Sequence, residues 1–164
     1  MGTKVPVQVD GRVLRLGNLD KPLYPDAGFT KAEVLDYYAR IAPVLLPHLA
    51  GRPLTVRRCP DGVAGRSFFE RNAPPHTPDW VRTVSLPAGA RRRRGIRAVI
   101  VEDLPTLIHY AGLAALEFHV PQWRVDAAGR PGPPDLLVFD LDPAAPATVV
   151  ECCRVACLLR ERLA

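Results

Sequence analysis

The sequence predicts an α+β fold, and three observations lead to that class. Short stretches that alternate apolar and polar side chains are bounded by proline, glycine and aspartate, as strands in hairpins are. Longer stretches carry apolar side chains at helical spacing, and they lie among the strands without the strict alternation of a parallel α/β protein. The 164 residues suffice for one domain with a sizeable core, so we expect residues 1–164 to fold as one unit.

The composition excludes several classes of protein. Hydrophobic residues make up 48% of the chain and charged residues 24%, which is typical of a globular domain rather than a disordered chain. No apolar run approaches the roughly 20 residues that a membrane-spanning helix needs. The N-terminus also lacks the apolar stretch of a signal peptide. We therefore expect a cytoplasmic protein with no membrane partner.

Arginine carries most of the positive charge. Only three of the 22 basic residues are lysines, and residues 91–94 are four consecutive arginines. The net charge of +5 indicates a polyanionic partner, nucleic acid above all. Arginine suits phosphate because its planar guanidinium donates two parallel hydrogen bonds.

The N-terminal third is predicted to form a hairpin, a loop and a helix. Residues 5–9 and 12–16 alternate around an Asp-Gly pair, a strong signal for a two-residue hairpin turn. A loop rich in proline and glycine follows. Thr30 and Glu33 then match a capping box, and apolar side chains at 34, 38, 41 and 45 keep helical spacing. Pro43 is expected to end that helix or to start a second short turn.

Short strands are predicted in the middle of the chain. Residues 54–58 and 66–70 flank a Pro-Asp-Gly turn. Residues 81–86 and 96–101 are expected to pair around a basic tip at 87–95.

The C-terminal third is predicted to hold two helices and two strands. Asp103 is expected to cap a helix that runs to about residue 115, and a strand at 116–120 follows. A polar turn at 126–134 separates that strand from another, and a final helix is expected at 147–163.

The sharpest local signal is a pair of aspartates after an apolar run. Residues 136–139 are continuously apolar, which predicts a strand buried on both faces. Asp140 and Asp142 follow it two residues apart, so both carboxylates project to one face if the strand persists. Two carboxylates that close repel unless a cation lies between them, and such oxygen ligands suit Mg²⁺ or Mn²⁺. The pair therefore predicts a divalent-metal site for phosphoryl or nucleotidyl transfer. A solvated turn that caps the next helix is the structural alternative.

One enzyme class with this pair is the haloacid-dehalogenase phosphatases, in which the first aspartate is a nucleophile and the second an acid/base. Asp140 and Asp142 fit that pattern locally. However, Pro143-Ala144 stands where Gly-Thr is expected, and only 22 residues follow Asp142. These residues are too few for the later motifs of such phosphatases, so this class is a remote alternative.

The other motifs, taken in order from about Val9 to the C-terminus, resemble the polymerase domain of bacterial ligase D, a member of the primase-polymerase superfamily. Each motif is weak alone, but their shared order is specific. They are DKPLYP (20–25), TK (30–31), DYY (36–38), HLAGRP (48–53), RCPDG (58–62), FFE (68–70), LEFHVPQW (116–123) and DLLVFDLDP (135–143).

The resemblance implies roles for matched positions. Lys21 and Lys31 match lysines that hold the 5′-phosphate of a broken end, and the first-turn N–H groups of the helix at Lys31 would also attract phosphate. Phe68 and Phe69 match aromatics that stack on template bases. Because neighbours on a strand face opposite ways, at most one of the two should lie in the core. His119 matches a histidine near the incoming nucleotide.

Two further sites are implied by the resemblance. The basic tip matches a protruding hairpin that helps to bridge two DNA ends, through Arg91, Arg92, Arg93 and Arg94. The paired aspartates match catalytic ligands for Mn²⁺ or Mg²⁺.

The resemblance implies that residues 1–164 are the N-terminal portion of the polymerase domain. They would thus be part of a metal-dependent primase-polymerase that adds nucleotides at DNA breaks during non-homologous end joining. The implied fold is a mixed sheet flanked by helices, incomplete here because a third metal-binding aspartate and the triphosphate-gripping segment are expected outside these residues. The implied partners are 5′-phosphorylated DNA ends and nucleoside triphosphates, with a ligase domain and an end-binding protein on separate chains, at the nucleoid. A non-catalytic module that only binds DNA ends is the second reading.

Overall fold

Helices and strands alternate irregularly along the chain in this computed structural model, which describes residues 4–87 and 95–163. The described residues form three α-helices: Lys31–Leu49 (α1), Leu104–Gly112 (α2) and Val149–Leu163 (α3). Their strands are β1 Lys4–Val9, β2 Arg12–Gly17, β3 Pro22–Tyr24, β4 Phe29–Thr30, β5 Thr55–Arg58, β6 Phe68–Glu70, β7 Thr83–Leu86, β8 Ile96–Val99, β9 Ala115–His119, β10 Trp123–Val125 and β11 Pro131–Pro134. These strands pair antiparallel in sheets of two or three. The predicted α+β class is confirmed.

The first two strands form the predicted hairpin. Asp10 and Gly11 at its turn both have left-handed backbone, with φ of 42° and 77°. Two consecutive residues of positive φ make the turn whose twist matches the paired strands. The loop that follows contains a further short strand pair, β3–β4, which sequence patterning does not reveal.

Helix α1 begins with the predicted capping box. The backbone N–H of Thr30 donates to Glu33 Oε2 at 2.7 Å, and the Thr30 hydroxyl accepts from the Glu33 N–H at 3.4 Å. The prediction that Pro43 ends the helix is wrong, because α1 continues through Pro43 and Pro47 to Leu49. Both prolines lie on the exposed face. There water can satisfy the carbonyls that lose a helical partner, and packing of the buried face keeps the helix continuous.

The main core lies between α1, α2 and the first hairpin. Leu14 and Leu16 come from β2, Val34 and Tyr38 from α1, and Leu107 from α2; all are buried. A buried leucine contributes about 1.5–3 kcal/mol to folding. This core fixes the end of β2 against the first turn of α1, which begins at the candidate Lys31; the other candidate, Lys21, lies in the loop just before β3.

The middle strands form as predicted, with shorter bounds. β5 pairs with β6, and β7 pairs with β8. The predicted helix after Asp103 also forms, and the Asp103 carboxylate accepts from the Thr106 N–H at 2.8 Å. It ends at Gly112, before the predicted boundary.

The sheet β6-β5-β9 sorts its side chains onto two faces. Arg57 lies opposite both Phe69 and Glu117, and Thr55 lies opposite His119. Residues directly opposite in antiparallel strands share a face, so these five side chains project together. The other face turns toward the core.

The prediction of a buried strand at 136–139 is wrong for this structure. These residues have no regular secondary structure, and their side chains are between 46% and 70% exposed. A strand needs a partner for its backbone groups and a layer on each face to bury its side chains. Within the part of the chain that the structure describes, no strand pairs with this run.

The chain before that run is firmly anchored. Arg52 is completely buried, and its Nη1 donates to the Pro121 carbonyl at 3.1 Å. Its Nη2 lies 2.7 Å from Asp135 Oδ1, and Arg124 contacts the other oxygen of the same carboxylate at 2.8 Å. These contacts hold the chain against the rest of the fold as far as Asp135.

The last predicted helix forms as α3, and none of its residues is buried. Thr148 caps it, since its hydroxyl accepts from the Val150 N–H at 3.2 Å, and its own N–H donates to Glu151 Oε2 at 2.8 Å. Among the described residues, no helix combines the length and apolarity required to cross a membrane.

His109 on α2 is predicted to make stability depend on pH. Its ring lies edge-on to Trp80 and Tyr110, and its Nε2 has no hydrogen-bond partner among the described residues. Burial lowers its pKa to about 4, with smaller effects from the charges of His76 and Arg58. The unfolded chain takes up this proton near pH 6.5, so stability falls as pH drops from 6.5 toward 4.

We expect His109→Phe to lose less stability than the wild type over that range. The difference should be about 2 kcal/mol, below the full linkage value because solvent reaches part of the ring. Urea unfolding of both proteins at pH 7.5, 5.5 and 4.5 measures it. Parallel pH profiles would show that His109 is not the group responsible.

Candidate functional site

Lys21 and Lys31 meet in one small cavity of about 190 Å³, here called the basic pocket. Arg58, Asn18 and residues 112–114 also line it. A backbone hydrogen bond brings the two lysines together, because the Lys31 N–H donates to the Lys21 carbonyl at 2.9 Å. The sequence resemblance proposed these lysines together, and the structure brings them together.

Lys31 is held as a largely buried cation. It is 9% exposed, and its Nζ donates to the Gly17 carbonyl at 2.8 Å. Burial lowers the pKa of Lys31, and the charges of Lys21, Arg58 and Lys4 lower it further. No carboxylate among the described residues forms an ion pair with it. A cation in that position would be stabilised by an anion entering the pocket.

The helix N-terminus does not supply the backbone donors that the sequence suggested. The N–H of Lys31 bonds to the Lys21 carbonyl, and that of Ala32 to the Leu19 carbonyl, both at 2.9 Å. The next N–H, of Glu33, bonds to the Thr30 hydroxyl. Because these donors are occupied, an anion in the basic pocket would be bound by side chains.

Lys21 and Arg58 complete the charge of the pocket. Lys21 Nζ lies 2.7 Å from Asp61 Oδ1, in an ion pair whose aspartate side chain is 71% exposed. Arg58 Nε donates to the Leu113 carbonyl at 2.9 Å, and its Nη1 contacts Glu70 at 3.2 Å. Sequence reasoning missed Arg58, although it opens the RCPDG motif that the resemblance rests on.

The two phenylalanines of β6 point to opposite faces, and neither is in the core. Phe68 is 40% exposed, with the Arg58 guanidinium 5.3 Å above its ring. Phe69 is 63% exposed, and its ring lies edge-on to His119 with the centroids 5.5 Å apart. An exposed ring beside a cleft can stack on a base.

A second cavity, the aromatic cleft, has a volume of about 470 Å³. It lies between the β6-β5-β9 sheet and the β7–β8 hairpin, and it is mostly apolar. Its lining includes Thr55, Phe69, Arg71, Ile96, His119 and Trp123. This volume accommodates a small ligand, with aromatic surface and the side chains of Arg71 and His119 available to it.

A polar network missed by sequence reasoning borders the cleft. Glu117 Oε1 accepts from Arg57 Nη1 at 2.6 Å, and Glu117 Oε2 lies 2.8 Å from His119 Nε2. The pKa of Glu117 is lowered by the hydrogen bond from His119 and then by that from Arg57. The motif LEFH contains a signal, since residues two apart on a strand share a face.

Asp140 and Asp142 are exposed and lie in a segment without regular structure. They line neither the basic pocket nor the aromatic cleft. Their carboxylates have the right chemistry for a hard divalent ion. Yet the described residues contain no group of three or more metal-ligating side chains, so the ligand set is incomplete among them. Arg91, Arg92, Arg93 and Arg94 lie outside the described residues.

Comparison with known proteins gives one consistent family. The model of the family "LigD, primase-polymerase domain" matches residues 30–164. The multifunctional non-homologous end joining protein LigD of Mycolicibacterium smegmatis is 43% identical over 143 residues, which cover 87% of this chain and 18% of the relative. The bifunctional LigD of Bacillus subtilis is 35% identical over 130 residues, which cover 79% and 20%. The chain thus spans about a fifth of the length of these relatives.

A solved structure shares the fold. The polymerase domain from Mycobacterium tuberculosis ligase D, in complex with DNA, superposes with a TM-score of 0.84 at 40% identity. The superposition covers 92% of this chain and 53% of that one.

Proposed function

The chain belongs to the LigD primase-polymerase domain family, and on that premise we propose that it is part of a metal-dependent primase-polymerase. In this proposal it recognises 5′-phosphorylated DNA ends and adds nucleotides there during end joining. The observation that supports this proposal most directly is the basic pocket. Family membership leaves no support for the haloacid-dehalogenase alternative.

The basic pocket suits a terminal phosphate better than an internal one. A 5′-phosphate carries up to two negative charges at neutral pH, whereas a phosphodiester carries one. Lys21, Lys31 and Arg58 present three positive charges around about 190 Å³. Arg58 is already engaged by Glu70, and Lys21 by Asp61, so Lys31 is the cation that gains most from the anion.

The aromatic cleft is proposed to take the nucleotide and the template bases. Phe69 offers an exposed ring, and stacking a base on an aromatic contributes about 1–3 kcal/mol. His119 beside it provides a polar contact to the nucleotide. Both side chains project from the same face of the β6-β5-β9 sheet.

Asp140 and Asp142 are proposed as two ligands of a catalytic Mn²⁺ or Mg²⁺, completed by groups outside the described residues. When bound, the metal would neutralise charge on the triphosphate. The two carboxylates would fix its position.

The β10–β11 hairpin suggests how this pair would reach the cleft. Trp123 lies opposite Pro134, and the Asp135 N–H donates to the Gln122 carbonyl at 2.9 Å. Continuing this antiparallel register would bring residue 140 opposite Glu117. The opposite edge of β10 is already occupied, since it contacts Gly51, which lies just before β5. The added strand would therefore lie along the edge of β9 that does not pair with β5.

A non-catalytic end-binding module is the second candidate function. The observation that favours it is the contrast between an assembled basic pocket and an aspartate pair that is exposed and lacks a third ligand among the described residues. Gapped-DNA extension by the full-length protein with Mn²⁺ and each nucleotide type distinguishes the two: templated addition would exclude the module, and its absence would support it. By residues 1–164 alone we expect little addition, since two carboxylates alone hold a metal weakly.

The remaining partners follow from the family and are also proposals. A ligase domain would seal the filled break, and an end-binding protein would deliver it. The arginines at 91–94 would contact DNA backbone. A place at the nucleoid, within the cytoplasm, fits a protein that acts on chromosomal breaks.

The test of the function compares DNA duplexes that share one recessed end and differ only in its 5′-phosphate. At fixed salt the phosphorylated duplex is expected to bind about 100-fold more tightly, because each of the two lysines contributes a charge-assisted hydrogen bond of roughly 1.5 kcal/mol. Fluorescence anisotropy at several salt concentrations measures both affinities. Equal affinities would contradict end recognition.

The preference for phosphate should decline at alkaline pH. Burial lowers the pKa of Lys31, so this lysine loses its charge at a lower pH than an exposed lysine does. The phosphate itself gains its second charge near pH 6, so the preference should rise as the pH approaches neutrality and decline at alkaline pH. Lys31→Arg keeps its charge and should remove the alkaline decline. Anisotropy between pH 6 and 10 measures this, and an unchanged decline in the variant would assign the titration to another group.

A further inference from the structure

The polar network on the sheet face gives each oxygen of one carboxylate its own partner. Glu117 Oε1 accepts from Arg57 Nη1 at 2.6 Å, and Oε2 lies 2.8 Å from His119 Nε2. Arg57 is itself steadied, since its Nε donates to the Ser67 hydroxyl at 3.1 Å. The contacts join β9 to β5 and to Ser67, the residue just before β6, and His119 places their end at the aromatic cleft.

This arrangement determines which imidazole nitrogen carries the proton. An ionised carboxylate only accepts hydrogen bonds, so His119 Nε2 must donate to Glu117. The Nδ1 atom is then the ring nitrogen that remains for a ligand. The edge-on ring of Phe69, 5.5 Å away, further restricts rotation of the imidazole.

We infer that Glu117 is a positioning residue, which holds His119 with Nε2 protonated so that Nδ1 meets the nucleotide in the aromatic cleft. This inference rests on the proposed function, in which the cleft takes a nucleotide. Arg57 acts through Glu117, because it anchors the carboxylate. It also offsets a negative charge that would otherwise repel the phosphates of the nucleotide.

The charges around the cleft are consistent with this role. His119 and Glu117 come from β9, Arg57 from β5, and Arg71 follows β6. The hydrogen bonds from His119 and Arg57 lower the pKa of Glu117, so the carboxylate stays ionised at neutral pH. Of these groups Arg71 and His119 line the cleft, and Arg57 and Glu117 lie beside it as an ion pair whose charges offset each other.

Glu117→Gln tests the inference through the proton itself. The amide oxygen of glutamine would be claimed by the Arg57 guanidinium, which can only donate. The NH₂ group would then face His119, so Nε2 must accept and the proton moves to Nδ1. Long-range ¹⁵N–¹H NMR spectra of the imidazole distinguish the two tautomers. We expect Nε2–H in the wild type and predominantly Nδ1–H in the variant.

The matched control is Glu102→Gln. Glu102 forms an equally short ion pair with Arg82, at 2.6 Å and with similar exposure, away from His119. Its replacement should leave the His119 spectrum unchanged. The same spectrum in wild type and Glu117→Gln would overturn the inference, as would a wild-type imidazole protonated only at Nδ1.

A second experiment tests the functional consequence by measuring the affinity of the full-length protein for ATP in the presence of Mn²⁺. Glu117→Gln is expected to weaken it about tenfold and His119→Ala at least as much, while affinity for a 5′-phosphorylated duplex stays constant. Unchanged ATP affinity in Glu117→Gln, with loss in His119→Ala, would overturn the positioning role. Suppose that the wild type binds no ATP while the tautomer of the His119 imidazole still depends on Glu117. In that case Glu117 positions His119 as inferred, but the proposed nucleotide-binding function is wrong.

Discussion

Replacing Asp140 or Asp142 by alanine in the full-length protein is expected to reduce templated nucleotide addition by about 10³-fold or more. A catalytic divalent ion supplies several kcal/mol of transition-state stabilisation, and each 1.4 kcal/mol corresponds to about a tenfold rate. Extension of a gapped DNA with Mn²⁺ measures the rate. A parallel Mn²⁺ titration measures affinity in the wild type and in both variants.

Asp79→Ala is the matched control for this experiment. Asp79 is another exposed aspartate, it lines neither cavity, and it forms no ion pair with the other described residues. Its loss should change neither rate nor Mn²⁺ affinity. If Mn²⁺ affinity is unchanged in both Asp140→Ala and Asp142→Ala, the pair is not a metal site, and the solvated-turn interpretation becomes the better one.

Removal of both pocket lysines, as Lys21→Ala with Lys31→Met, is expected to weaken binding of a 5′-phosphorylated end about 100-fold. Each charge-assisted hydrogen bond to phosphate contributes roughly 1.5–3 kcal/mol, and Lys31 should account for the larger share because it is the more buried. Affinity for the unphosphorylated duplex should change little. Anisotropy with the matched duplexes measures both values.

Two single variants make this prediction specific to the pocket. Arg40→Ala removes an exposed cation from the same helix, paired with Asp36 at 3.7 Å, and should leave the phosphate preference intact. Asp61→Asn releases Lys21 from its ion pair and should strengthen binding a fewfold, roughly the value of an exposed pair. Loss of binding in Asp61→Asn, or a phosphate preference that survives the double lysine variant, would contradict the site. Thermal melts check that each variant is folded.

Local hydrogen bonding made much of the fold predictable. The turn at Asp10 and Gly11, the capping box of Thr30 and Glu33, and the cap at Asp103 all formed where the sequence placed them. Each depends on atoms within a few residues of one another, so the residue types themselves carry the information.

The site was predictable only through the order of its motifs. Resemblance selected both lysines of the basic pocket, yet Arg58 and the backbone bond that joins Lys31 to Lys21 emerge only from the folded chain. The proposed help from the helix N-terminus was wrong, because other parts of the fold already occupy those N–H groups. Glu117 was likewise passed over, since Arg57 meets it across the sheet from β5, although His119 lies two residues along the same strand.

The sequence by itself determined the α+β class, the local turns and caps, and the candidate residues. The tertiary structure decided that α1 runs through Pro43, because both prolines lie on its exposed face while the opposite face packs on the core. It also decided that residues 136–139 remain exposed, despite a sequence typical of a buried strand. The physical reason is that turns and caps are completed by near neighbours, whereas burial and strand pairing require surfaces that other segments must provide.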